Sequence, residues 1–166
     1  MITYQLDECT NSKKLAESCS RQGLVEVRRW PGRRKGQKNP EWLPDMLASG
    51  GTLLTTDREI HFQHVAHIPS THSGILIVAK TQSATTIRRE DVMRILAQFK
   101  SAFPEWHCLS LRNSIVEICE THIQLWWVES GKRVTAVVRH SDPGWQTDLL
   151  GLLQRNARIE APTDEN

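Results

Sequence analysis

A run of five apolar residues, from Ile75 to Ala79, is the feature that most constrains the fold of this 166-residue chain. A short, unbroken apolar run is typical of a strand buried on both faces, and such strands belong to parallel sheets that carry helices on each side. Strand-like segments at 2–6, 24–27, 52–56 and 75–79 alternate with helical patterns at 11–22, 40–49 and 88–103. This alternation predicts an α/β fold of three layers with a mostly parallel sheet.

The last third of the chain follows a different pattern. Strand-like segments at 106–112, 115–120, 124–128 and 133–138 succeed one another, and Ser130-Gly131-Lys132 is a candidate hairpin turn between the last two. They predict either antiparallel strands added to one edge of the sheet or a small separate β layer. Asp142-Pro143 is expected to cap a final helix. We therefore divide the chain into an α/β domain over 1–103 and, packed on the same domain, a β-rich extension with a C-terminal helix over 104–166.

Composition and sequence patterns exclude several classes of protein. With 39% hydrophobic and 24% charged residues, the chain resembles an ordinary globular protein rather than a disordered one. It has no apolar stretch near the roughly 20 residues of a membrane helix and no signal-like leader, so we expect a cytoplasmic protein without a membrane partner. The cysteines lack zinc-site spacing, and we expect reduced thiols. Motifs of P-loop, dinucleotide-binding and α/β-hydrolase enzymes are absent as well.

Acidic residues follow two of the predicted strands. Asp7 and Glu8 come after the first strand, and Asp57 comes after the third. Because parallel strands end at the same edge and neighbours lie about 4.8 Å apart, we expect Asp7 and Asp57 to approach each other. Two carboxylates at this short distance repel each other unless a cation lies between them. Oxygen ligands of this kind suit Mg²⁺ or Mn²⁺. Such ions activate water for attack on a phosphodiester. The alternative is that each acid is a turn or helix-cap residue.

A basic segment lies between the second strand and the following helix. Residues 28–38 contain six basic side chains and no acid, and their glycines and proline indicate a loop. Such a loop suits a phosphate backbone, with an aromatic ring available to stack on a base, and a solvated surface loop is the alternative. The predicted nucleic-acid-binding residues are Arg28, Arg29, Trp30, Arg33, Arg34, Lys35, Lys38 and Arg58.

Three segments together resemble the short PIN-like nuclease domains over residues 1–100. They are Leu6-Asp7-Glu8 after the first strand, the stretch 53–60 around Asp57, and His72-Ser73-Gly74 at the entry to the next strand. The resemblance implies a parallel α/β sheet and a metal-dependent ribonuclease, in a family that includes toxins of bacterial toxin–antitoxin pairs. It also implies that Asp7 and Asp57 are catalytic metal ligands and that Glu59 is a further catalytic acid.

One family feature is missing. PIN-like domains usually carry another acid near the start of the helix before the third strand. That position falls near Asn39, whose amide brings no charge, and the closest acids are Glu41 and Asp45. Glu8, Glu41 and Asp45 are therefore candidate supporting residues.

Three functions stay open at this point. The first is an Mg²⁺- or Mn²⁺-dependent endoribonuclease that hydrolyses RNA, with an antitoxin protein and a second copy of the chain (a homodimer) as candidate partners. The second is a catalytically degenerate PIN-like module that binds RNA or a protein. The third is a transition-metal protein, because four histidines follow Asp57 closely, whereas surface or packing histidines are the alternative. The cluster consists of His61, His64, His67 and His72, of which His72 is a candidate for fixing a turn.

Overall fold

The computed structural model describes residues 3–6, 13–23, 26–29, 39–48, 50–58, 60, 68–80 and 87–161. The strands in these ranges are β1 (Thr3–Leu6), β2 (Glu26–Arg29), β3 (Thr52–Thr55), β4 (Ile75–Val78), β5 (Ile115–Ile118), β6 (His122–Glu129) and β7 (Lys132–Arg139). The helices are α1 (Lys13–Arg21), α2 (Asn39–Ala48), α3 (Arg89–Ala102) and α4 (Trp145–Asn156), and a 3₁₀ helix spans Pro104–Cys108. None of these helices is both long enough and apolar enough to cross a membrane.

These strands form one sheet in the order β2-β1-β3-β4-β5-β6-β7. The first five run parallel to one another, whereas β6 is antiparallel to both β5 and β7. The structure thus confirms an α/β fold with a mixed, mostly parallel sheet. Because β1, β3, β4 and β5 point in the same direction, their C-terminal ends lie along one side of the sheet, which we call the carboxyl edge.

Side chains of the central strands alternate between two cores on opposite faces of the sheet. Leu54 and Leu76 pack in the larger core with α1, α3 and α4, whereas Leu53 and Ile75 pack in the smaller core with α2. Each such residue contributes about 1.5–3 kcal/mol when fully buried, so the parallel part of the sheet is stabilised from both sides. This double burial explains the unbroken apolar sequences of β3 and β4.

Strand β5 corrects the prediction for the last third of the chain. It pairs with β4 in parallel and so extends the parallel sheet, rather than beginning an antiparallel addition. The chain reaches it through α3 and the 3₁₀ helix, and a crossover of this length is what joins two parallel neighbours. The predicted strand at 106–112 is also wrong. Pro104 begins the 3₁₀ helix instead, and Trp106 is buried in the larger core.

The hairpin of β6 and β7 agrees with the prediction, whereas the start of the final helix does not. Ser130 and Gly131 have φ angles of 52° and 73°, the positive values that a tight two-residue hairpin turn requires. Helix α4 begins at Trp145, after Gly144 in a left-handed conformation with φ of 74° and no side-chain cap. Asp142-Pro143 therefore precedes the helix without capping it.

A buried amide network joins the loop before β5 to the loop before β4. Asn113 is fully buried, and its Oδ1 accepts a hydrogen bond from the His72 N–H at 2.9 Å. Its Nδ2 donates to the carbonyls of Asn156 at 2.9 Å and Ile159 at 3.0 Å. The His72 Nδ1 accepts from the Gly74 N–H at 3.1 Å, and His72 is only 8% exposed. The network thereby fastens the end of α4 to the sheet.

His72 makes the stability of the protein dependent on pH. Burial lowers the pKa of His72 from 6.5 to about 4, because the charged ring would lose its hydration. The unfolded chain therefore takes up the proton first, so the free energy of unfolding is fully present above pH 6.5 and falls as the pH drops toward 4. The difference of about 2.5 pH units corresponds to a loss of about 3 kcal/mol.

Urea denaturation near pH 7 and near pH 4 measures this loss. In His72→Asn, the side-chain oxygen can accept the bond from Gly74 but does not titrate. We expect the free energy of unfolding of this variant to fall by about 3 kcal/mol less than that of the wild-type protein over the same pH interval. The same pH dependence in both proteins would contradict the role assigned to His72.

Candidate functional site

Asp57 lies at the carboxyl edge, two residues beyond the end of β3. On one side of β3 is β1, whose last residue, Leu6, pairs with Leu54. The Asp57 N–H donates to the Thr55 hydroxyl at 3.0 Å, and the Asp57 carbonyl accepts from the Ile60 N–H at 3.4 Å. These bonds form a turn that holds the partly buried Asp57 at the strand end. Asp57 is therefore at the edge of the sheet where the sequence predicts it.

The other predicted acids are only partly covered by the structure. Asp7, Glu8 and Glu59 lie outside the described residues. Glu41 belongs to α2, but its side chain is outside the described set. Asp45 is exposed on the same helix. The geometry at the strand end is therefore known for Asp57 and not for its predicted partners.

Most of the predicted basic loop also falls outside the described residues, namely Trp30, Arg33, Arg34, Lys35 and Lys38. The predicted loop over 28–38 is wrong at its start, because Arg28 and Arg29 belong to β2. Among the described residues this strand covers 26–29, and these four residues pair in register with β1. Leu24 and Val25 of the predicted strand at 24–27 lie outside the described residues. The side chain of Arg58 lies within the described residues, and its partner is a residue of a distant strand.

Arg58 forms a two-point ion pair with Glu117 of β5. Its Nη2 donates to the Glu117 Oε1 at 2.9 Å, and its Nε donates to Oε2 at 3.3 Å. The Glu117 side chain is 0% exposed, whereas the Arg58 side chain is 37% exposed. The pair therefore links the turn after β3 to β5, with the carboxylate enclosed and the guanidinium at the surface.

Sequence reasoning missed Glu117 because it lies inside an apolar strand pattern. Its neighbours Ile115 and Ile118 are buried, so the segment has the sequence of an ordinary core strand. The available signal was the acid itself, since a charged residue in the middle of a buried strand requires a partner. The partner could not be identified from sequence alone, because Arg58 is 59 positions away.

Cys119 lies beside the same carboxylate and is part of the core. Its Sγ donates to the Glu117 Oε1 at 3.5 Å, and the residue is 1% exposed. Burial, with a further contribution from the negative charge of Glu117, raises the pKa of the Cys119 thiol to about 12. The thiol therefore stays protonated near neutral pH.

A second group of ion pairs lies on the α3 side of the same edge. Asp91, in the first turn of α3, accepts from Lys80 at 2.9 Å and from Arg94 at 3.2 Å. The Arg94 Nη2 also pairs with Glu120 at 2.8 Å. The hydrogen bond from Lys80 is the main cause that lowers the pKa of Asp91. These four charges neutralise one another at the surface, so their pairs are expected to contribute little to stability.

Asp57 is the described residue at this strand end that could hold an oxygen-ligated metal ion. The Asp57 carboxylate is a donor that suits Mg²⁺ or Mn²⁺. Within the ranges that the structure covers, no three His, Cys, Asp or Glu side chains converge to hold an ion. The predicted partners Asp7 and Glu59 are outside those ranges. Three of the four clustered histidines are outside them too, namely His61, His64 and His67. The buried His72 accepts a hydrogen bond within the turn before β4, which agrees with its interpretation as a turn-fixing residue.

Comparison with known proteins adds no assignment. Neither a family model, nor a curated protein, nor a solved structure matches this chain.

Proposed function

We propose that this protein is a cytoplasmic Mg²⁺- or Mn²⁺-dependent endoribonuclease whose site lies at the carboxyl edge. The observation that carries the proposal is the position of Asp57, held by a turn at the end of β3. The neighbouring parallel strand β1 ends at Leu6, and the next residue in the sequence is the acidic Asp7. Acids that follow neighbouring parallel strands lie at the edge where ligands bind in such sheets, and their carboxylate oxygens suit a divalent ion.

In this proposal Asp57 and Asp7 hold the ion, and Glu59 supports it or orients water. When bound, the ion would supply Lewis-acid activation of water and of a phosphodiester. Arg58 would bind a phosphate oxygen, because its guanidinium is partly exposed and directly follows Asp57 in the chain. The basic residues between β2 and α2 would hold the rest of the RNA backbone. A toxin role with an antitoxin protein as partner, and a homodimer, belong to the same proposal through the resemblance.

Replacing Asp57 by asparagine tests the catalytic assignment. The amide keeps the size of the side chain but removes the charge that would hold the ion, so we expect the rate of RNA cleavage in Mn²⁺ to fall roughly 100-fold. The assay follows cleavage of a labelled single-stranded RNA. Asp142→Asn is the matched control, since Asp142 is an exposed aspartate in the turn after β7. Equal rates for Asp57→Asn and the wild-type protein would remove Asp57 from the mechanism.

The second candidate function is RNA binding without cleavage. It is favoured by Asn39, an uncharged residue at the start of α2, where the family usually carries an acid. The same assay separates the two functions. A protein that binds the RNA but leaves it intact in Mn²⁺ is the binding module, whereas Mn²⁺-dependent cleavage identifies the nuclease.

A further inference from the structure

The guanidinium of Arg58 is held by Glu117 along the edge that carries Nε and Nη2. An arginine carries five N–H groups, and the bonds from Nε and Nη2 to Glu117 use two of them. Among the described residues, Glu117 is the partner found for the guanidinium. Because the Arg58 side chain is 37% exposed while Glu117 is fully enclosed, donors remain for a ligand that approaches from solvent.

Stability alone does not account for a charge at position 117. The Cα of Glu117 pairs with that of Ile77 in β4, and Ile115 lies two residues earlier on the same face of β5. Both isoleucines are buried in the smaller core. At such a position an apolar residue often stabilises a protein as much as a buried ion pair does, because removing two charges from water costs about as much as their attraction returns.

An ion pair with two bonds fixes the orientation of the Arg58 guanidinium. A guanidinium held at two points loses less conformational entropy when it binds an anion than one on a mobile side chain. Its planar fork matches two oxygens of a phosphate group. The turn of Asp57 precedes it directly, so the fork belongs to the strand end at which the proposed reaction takes place.

We propose that Glu117 is a positioning residue that holds the guanidinium of Arg58 as a phosphate-binding fork. The inference rests on the proposed function in one respect, namely that the phosphate belongs to an RNA strand at the carboxyl edge. Glu117 itself does not touch the RNA and acts through Arg58. Its negative charge alone would weaken the binding of a polyanion, so a positioning role and a merely neutralising role predict opposite effects of removing that charge.

The test is a double-mutant cycle on RNA binding. Fluorescence anisotropy measures the affinity for a labelled single-stranded RNA of about 16 nucleotides, in EDTA, so that no cleavage occurs. We expect Arg58→Gln and Glu117→Gln each to weaken binding about five- to tenfold, and the double variant to bind no more weakly than Arg58→Gln alone. The matched control is Glu120→Gln, which breaks the Arg94 pair of 2.8 Å at the same edge and should not weaken binding.

Two outcomes overturn the proposal. One is a folded Glu117→Gln protein that binds RNA as tightly as the wild type or more tightly, and the other is a double variant in which the two losses add. Circular dichroism establishes that each variant is folded at the temperature used. Should Glu117→Gln not fold, Arg58→Lys replaces it, because lysine keeps the charge but not the fork. Full affinity in Arg58→Lys then overturns the proposal, and a loss like that of Arg58→Gln supports it.

The binding cycle and the cleavage assay fail independently. A coupled pair in EDTA together with no cleavage in Mn²⁺ rejects the nuclease and retains Glu117 as the positioning residue of an RNA-binding module. Mn²⁺-dependent cleavage together with additive losses retains the nuclease and rejects the role of Glu117.

Discussion

Replacing Gly74 by alanine is expected to reduce the free energy of unfolding by about 4 kcal/mol. Gly74 directly precedes β4 and has a φ of 110°, a conformation that residues with a side chain rarely adopt. An added Cβ would lie 2.5 Å from the Leu111 carbonyl oxygen and 2.7 Å from the Leu111 Cβ. Because a backbone atom is one of the two neighbours, the contact cannot be relieved by rotation of a side chain alone.

Urea denaturation of Gly74→Ala and Gly131→Ala separates the two causes of this loss. Gly131 has a φ of 73° in the hairpin turn, but nothing lies within 4 Å of the Cβ that alanine would add. The loss of unfolding free energy in Gly131→Ala therefore measures the cost of the backbone conformation without the steric overlap, about 1 kcal/mol. Equal losses in the two variants would show that the approach of Leu111 to Gly74 is not as close as described.

Asn113→Ala is expected to destabilise the protein by a similar amount, about 4 kcal/mol. The substitution removes the Nδ2 group that donates to the Asn156 and Ile159 carbonyls and the oxygen that accepts from the His72 N–H, at 2.9–3.0 Å. The Ile159 carbonyl and the His72 N–H lose their described partner, whereas the Asn156 carbonyl keeps a bond from the Ile159 N–H at 3.0 Å. Each buried group left without a partner costs about 1–3 kcal/mol. The loss is larger than that of an ordinary surface asparagine because the residue is fully buried.

The control for Asn113→Ala is Ser130→Ala. Asn113 and Ser130 both have a positive φ, of 63° and 52°, but Ser130 is exposed in the turn between β6 and β7. We expect its replacement to change the free energy of unfolding by less than about 0.5 kcal/mol. A loss this small in Asn113→Ala would mean that the amide network does not hold α4 against the sheet.

Strands β3 and β4 and helix α3 were predictable because their sequences reflect local physics. Strands buried on both faces have unbroken apolar runs, and α3 places Val92, Ile95 and Leu96 on one side. The parallel direction of β5 was not predictable in this way. It depends on the length of the crossover formed by α3 and the 3₁₀ helix, and Trp106, within that 3₁₀ helix, lies in a segment with the apolar content of a strand.

In the candidate site, too, positions set by local sequence were predictable, whereas contacts between distant residues were not. The place of Asp57 followed from one rule, that residues after parallel strands collect at one edge of the sheet. Arg58 was predicted as a phosphate contact on charge alone, whereas its pairing with the buried Glu117 depends on a strand that follows it by 59 positions. Asn113 carries no sequence signal either, because its role arises from three loop and helix ends that meet in the folded chain.

Asp57 is proposed to help hold a divalent ion at the carboxyl edge, and calorimetric titration of Mn²⁺ into the full chain measures this binding. We predict that the wild-type protein and Asp142→Asn bind Mn²⁺ with the same affinity, and that Asp57→Asn binds it at least about tenfold more weakly. Equal Mn²⁺ affinity in Asp57→Asn and the wild-type protein, or no Mn²⁺ binding by the wild-type protein, would contradict the account.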